Sequence, residues 1–159
     1  MSRLRVVFDI NVWLHAYLGP HSEFPFLQQI PPTTSNSSAD CLSLALDGDR
    51  FSVYLSPHIL QNIAKVLRTE GLSPATTTRV LDDFVEIALY SQGSVLDPER
   101  QAVATADHED NLILDLVQAV SAQVLVTMDA GLLQLTGWKG KAIIHPRQFV
   151  ALALGIAPR

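Results

Sequence analysis

Short β-branched runs alternate along this chain with longer stretches of helical spacing. "RVVFDI", "FSVYLS" and "QVLVTM" are apolar at successive positions, which predicts strands covered on both faces. "KAIIHP" near the end is a weaker run of the same kind, and "SVLD" around Val95 predicts another short strand. Helical spacing covers residues 39–48, 57–71, 73–93, 108–122 and 129–137. The third of these is well punctuated, with Ser73 at the N-cap, Pro74 in the first turn and Gly93 past the end. Strands alternating with helices imply right-handed crossovers, hence an α/β fold with a parallel sheet between helical layers. Residues 19–40 are rich in Pro, Ser and Thr without an apolar period and read as a long irregular loop. No internal repeat breaks the pattern, so residues 1–159 form a single domain.

Composition changes this picture little. With 48% hydrophobic and 17% charged residues, the chain is more apolar than an average domain. That surplus fits strands buried on both faces, or an apolar patch that a partner hides. A single cysteine, Cys41, excludes an internal disulfide. The N-terminal "MSRLRVVFDINVW" lacks the apolar centre of a leader, and no run approaches the roughly 18 apolar residues of a membrane span. A cytoplasmic protein with no membrane contact is therefore the expectation.

A net charge of −5 disfavours passive, charge-driven binding of nucleic acid. It leaves room for an enzyme that holds phosphates through bound cations, where acids are the tool.

The acids fall at telling places. Asp9 ends the first strand run and Asp129 follows "QVLVTM", while Asp107 and Asp110 in "DHEDN" open the helix leading to that strand. In open α/β sheets ligands bind beyond the carboxyl ends of strands, where helix N-termini also lie, so these acids meet on one edge. Each has a plainer reading as a helix cap. Asp9 or Asn11 would cap the first helix, Asp129 the helix that begins at "AGLLQL", and Asp107 with Asp110 resembles a capping box. Capping explains each acid singly but not their collection on one edge, because close carboxylates repel unless a proton or cation joins them. Mg²⁺ or Mn²⁺ suits hard oxygen ligands with open positions, which suggests metal-assisted hydrolysis of a phosphodiester.

Four blocks together carry a family resemblance. "VVFDINVWL" is similar to the opening of PIN domains, hydrophobic-D-x-N-hydrophobic. "LSPHILQNIAKVL" resembles their second segment, and "DHEDNLILDLVQAVSAQVLVTMDAGLLQL" the third, D-x-x-D, a helix, then V-T-x-D-x-x-L-L. "IIHPRQFVAL" resembles the closing strand and helix. The resemblance implies a three-layer α/β/α fold with a five-stranded parallel sheet. It further implies a Mg²⁺- or Mn²⁺-dependent endoribonuclease, most often the VapC-like toxin of a toxin–antitoxin pair. RNA as substrate, an antitoxin protein and a homodimer come with that implication. By position, Asp9, Asp110 and Asp129 resemble the metal-coordinating, catalytic carboxylates. Asn11 and Thr127 resemble the residues that fix their geometry, and Asp107 shapes the loop or binds through water.

The chain departs from the family pattern at two positions. Asn62 stands where a metal-binding Glu is usual, and Gly131 where a second acid often follows Asp129. Asn62 offers a neutral carbonyl oxygen but no charge, and Glu109 is the nearest substitute acid. The alternative reading is a PIN-like RNA- or protein-binding module whose catalysis is weakened or lost. A phosphatase with an aspartyl nucleophile is disfavoured, because Asn11 replaces the second acid of D-x-D. The neighbouring His58 reads as a helix-start residue and His108 as a loop histidine. Asp82, Asp83 and Glu86 read as a solvated helix face. Trp13 and Tyr17, four residues apart, share a helix face suited to core or dimer contact. Arg50, Lys65, Arg68, Lys139, Lys141 and Arg147 are scattered, so any basic surface must be assembled by the fold.

Overall fold

Three of the predicted strand runs bury the residues at their centres, as strands covered on both faces require. The computed structural model describes residues 3–20 and 34–155. The strands are β1 (Leu4–Phe8), β2 (Phe51–Tyr54), β3 (Val124–Val126) and β4 (Ala142–Ile144). The helices are α1 (Ile10–Leu18), α2 (Ser37–Leu46), α3 (Pro57–Thr69), α4 (Pro74–Tyr90), α5 (His108–Ala119), α6 (Ala130–Leu133) and α7 (Pro146–Leu154). All strand pairs are parallel, in the order β2-β1-β3-β4. The chain runs from β1 outward to β2, then crosses back to β3 on the other side of β1. The switch point of strand order therefore lies between β1 and β3.

The sheet has four strands, not the five expected. At "SVLD" only a single bridge forms, between Leu55 and Val95. Two backbone bonds hold it, Leu55 N to Ser94 O at 3.0 Å and Leu96 N to Leu55 O at 2.9 Å. Val95 and Leu96 remain 38% and 39% exposed, so little apolar burial favours extending the pairing. Pro98, which lacks an N–H, follows at once. The chain reaches this bridge through Gly93, which passes so close to β2 that a Cβ there would lie 1.7 Å from the Val53 carbonyl oxygen.

Helix starts follow the chemistry of their caps. Asn36, Ser56 and Ser73 each accept a backbone N–H from the first turn of α2, α3 and α4. Residues 36–40, expected in the irregular loop, instead form the cap and first turn of α2, while residues 21–33 lie outside the described part of the chain. The predicted helix at 129–137 is shorter, ending at Leu133. Fully buried aromatic rings join the sheet to the helices: Phe8 lies 5.6 Å from Trp13, and Trp13 4.8 Å from Phe84, between ring centres. The indole N–H of Trp13 donates to the Phe8 carbonyl at 3.1 Å, so Trp13 belongs to the core. Of the three acids expected on a solvated helix face, Asp82 and Glu86 are exposed and Asp83 is half-buried.

Candidate active site

β1 and β3 deliver their terminal residues side by side at the switch point. Asp9 N donates to Val126 O at 2.8 Å, and Thr127 N to Ile144 O at 3.0 Å, so the ladder continues to the residues that matter. The fully buried Thr127 hydroxyl donates to Asp9 Oδ2 at 2.7 Å and accepts from Asp129 N at 3.0 Å. One hydroxyl thus fixes the acid of β1 relative to the backbone of the acid after β3.

The helix caps anticipated for these acids are present. Asp9 Oδ1 accepts from Ile10 N at 2.7 Å, Asp129 Oδ2 from Leu132 N at 2.9 Å, and Asp107 Oδ1 from Glu109 N at 2.9 Å and Asp110 N at 3.3 Å. The cap of α1 is therefore Asp9 rather than Asn11. Asn11 has already entered the helix, and its Oδ1 accepts from Met128 N at 3.2 Å. It ties the start of α1 to the turn between β3 and α6. Capping and ligand roles are compatible, since each carboxylate oxygen keeps a lone pair after accepting one N–H.

Asp110 is the one of these four acids that caps nothing. Its carboxyl is pushed up to about 6, first by burial and then by the charges of Asp107, Asp129, Asp9 and Glu109. Asp9 is raised as well, chiefly by burial; the Thr127 hydroxyl and the Ile10 amide oppose this, Asp129 adds to it, and His58 draws it down. Acids distant in sequence therefore feel one another. Among the described residues, however, no three His, Cys, Asp or Glu side chains stand as a ready ligand set for an ion. The donors are hard oxygens whose mutual repulsion a divalent cation would relieve, and in that chemical sense they fit Mg²⁺ or Mn²⁺.

The substituted positions are also accounted for. Asn62 Nδ2 donates to the His58 carbonyl one turn back at 2.9 Å. A Cβ on Gly131 would stand 3.1 Å from Asp129 Oδ2, so a side chain there would press on that carboxylate. Glu109 turns to His58, and its carboxylate hydrogen-bonds with the His58 Nε2 between α5 and α3. Sequence reasoning weighed His58 and Glu109 separately and missed their pairing, because 51 residues separate them. It also missed Asp115, which is buried inside α5. Its Oδ1 accepts from Gln101 N at 3.0 Å and Ala102 N at 2.6 Å, holding the segment before α5 against the helix. The signal was an acid within the apolar "LILDLV".

His108 is exposed at the start of α5. Of the scattered basic residues, Arg50 pairs with Asp47 at 2.9 Å, and the Lys139 ammonium lies 5.1 Å from the centre of the Trp138 ring. No helix among the described residues is long and apolar enough to cross a membrane.

An acidic cluster at the switch point of a parallel α/β sheet lies where folds of this kind bind their ligands. A family model described as PIN domain matches residues 5–131, and the chain belongs to that family. PIN domains are generally nucleases that use divalent metal ions. No curated protein matches the chain.

Proposed function

We propose that the protein is a Mg²⁺- or Mn²⁺-dependent endoribonuclease, acting as the toxin of a toxin–antitoxin pair. Asp9, Asp110 and Asp129 hold the metal and form the catalytic set. The observation that carries this reading is the Thr127 hydroxyl bridging Asp9 and the Asp129 backbone, together with an Asp110 carboxyl whose charge is opposed by burial and by the other acids. A site that accumulates like charge at a cost to folding is arranged for a cation.

When bound, the metal would supply an activated water and offset charge on the phosphate. The chain's own residues do the rest. Thr127 favours the charged form of Asp9 against its burial and orients it, and Asn11 fixes the backbone at Met128, setting where Asp129 stands. Asp107 shapes the first turn of α5 and thereby presents Asp110. Asn62 contributes a neutral amide in place of the usual acid, so the set holds its ion with three carboxylates. In the same reading the chain forms a homodimer in the cytoplasm, and an antitoxin protein covers the acidic edge.

The test is cleavage of a mixed-sequence RNA with and without Mn²⁺, using the wild type and Asp9→Asn. Metal-dependent cleavage that disappears in the variant supports the reading. Cleavage that persists in Asp9→Asn, or none by the wild type at millimolar Mn²⁺, contradicts it. The second reading, an RNA- or protein-binding module, is favoured by Asn62 and by the absence of a preformed ligand set among the described residues. It expects RNA or protein to bind with no cutting.

A further inference from the structure

One buried group near the acids stays unexplained by the site. His58 uses Nε2 to meet the Glu109 carboxylate, while its Nδ1 is buried and has no hydrogen-bond partner. Buried polar atoms without partners are costly and few in native proteins. His58 also lines a cavity of about 160 Å³ between the start of α3 and the segment that leads into α5. Gln61, Asp97 and Arg100 bring polar groups to its wall, and Pro98 and Leu112 add apolar surface.

We propose that this cavity receives one unstacked base of the RNA strand held at the acidic site, with Gln61, Asp97 and Arg100 reading the edge of that base. The inference rests on the nuclease reading above and adds to it the part of the molecule that selects sequence. Three observations point this way. The first is position: Glu109, the partner of His58, precedes Asp110 directly, and Leu112 follows it by two residues in α5. A base in the cavity and a phosphate at the acids would belong to neighbouring parts of one strand.

The second is size. The cavity is several times what a single water needs, so satisfying one nitrogen does not account for it. The third is polarity. Asp97 would repel a phosphate, whereas a base edge carries donors and acceptors together and matches a wall holding a carboxylate, a guanidinium and an amide. Proteins that read RNA sequence do so on bases splayed out of single strands, with hydrogen bonds at the edge and flat apolar contacts on the face.

The test is sequencing of the cut ends after digestion of a randomised RNA with Mn²⁺, using the full-length wild type, Gln61→Ala and Arg100→Ala. Both substituted residues are exposed, so the fold tolerates their loss. The wild type is expected to favour one base at a fixed position beside the cut by about five- to a hundredfold. The variants are expected to flatten that preference at that position alone. A preference unchanged in both variants, or no preference in a wild type that cuts, overturns the inference and leaves the nuclease reading standing. A wild type that cuts nothing overturns both. Should the variants fail to cut, the ¹⁵N shift of His58 Nδ1 in the wild type decides. Movement on adding one nucleoside monophosphate and not the other three supports the inference, while equal response to all four or to none contradicts it.

Discussion

The Thr127 hydroxyl donates to Asp9 Oδ2 at 2.7 Å and receives the Asp129 N–H at 3.0 Å. Asp9 follows β1 and Thr127 follows β3, strands that neighbour each other in the sheet, yet the two residues are 118 positions apart in sequence. The bond therefore forms only when β1 and β3 are in register. It also moderates the burial that raises Asp9.

Thr127→Val keeps the shape and removes both interactions. Stability at neutral pH is expected to fall by about 1.5–3 kcal/mol, the range for a hydrogen bond to a charged group. Without the hydroxyl, the folded-state carboxyl of Asp9 rises further, so the deficit should be larger at pH 8 than at pH 4. Thr127→Ser should recover most of the loss. Urea denaturation of the three proteins at both pH values checks this. A deficit independent of pH would mean that the hydroxyl does not serve the carboxylate.

Asp110 sets the pH behaviour of the metal-free protein. Its carboxyl titrates at about 6 in the fold, against 3.8 for the unperturbed group. The folded state thus binds the proton more tightly than the unfolded one. Its contribution is fully present below about pH 4 and is lost as pH rises through about 6. Asp110→Asn should therefore raise the metal-free melting temperature at pH 7 and leave it unchanged at pH 4. Because the group is only partly buried and solvent screens it, the gain should stay below about 1 kcal/mol, or about 2–4 °C. With Mn²⁺ present the order should invert, since the wild type gains a ligand-linked stabilisation that the variant lacks.

Gly131→Asp places an acid beside Asp129, where a Cβ already stands 3.1 Å from Oδ2. The metal-free variant should melt lower than the wild type, and its Mn²⁺ affinity should rise by about tenfold, as added opposite charge predicts. Calorimetry and thermal melts on the same samples would measure both. Lower stability with unchanged affinity would place Asp129 outside the ion's reach.

Gly93 tests the fold rather than the site. With a Cβ there only 1.7 Å from the Val53 carbonyl oxygen, Gly93→Ala must push the chain away from β2. A loss of about 3 kcal/mol or more is expected, read by urea denaturation, and a near-neutral result would show that the segment after α4 is free to shift.

Much of this was legible in the sequence because burial leaves a mark on residue type. Strands buried on both faces read as unbroken apolar runs, and Ser73-Pro74 announces the start of α4 as it appears. The fifth strand misled because "SVLD" has strand composition, whereas extension depends on burial that Val95 and Leu96 never obtain. The cap of α1 stayed open between Asp9 and Asn11 because both side chains suit that role. Only the Met128 N–H, brought from β3, tells them apart. The His58–Glu109 pair was invisible for the same reason: nothing in α3 or α5 alone says that they face each other.

The central claim is that Asp9, Asp110 and Asp129 form one cation site. Calorimetric titration of Mn²⁺ into the metal-free protein at pH 7, for the wild type and for Asp9→Asn, Asp110→Asn and Asp129→Asn, tests it most directly. The account expects saturable binding by the wild type and loss of at least about tenfold in affinity in each variant. A wild type that binds no Mn²⁺ at millimolar concentration, or variants that bind as the wild type does, would contradict it.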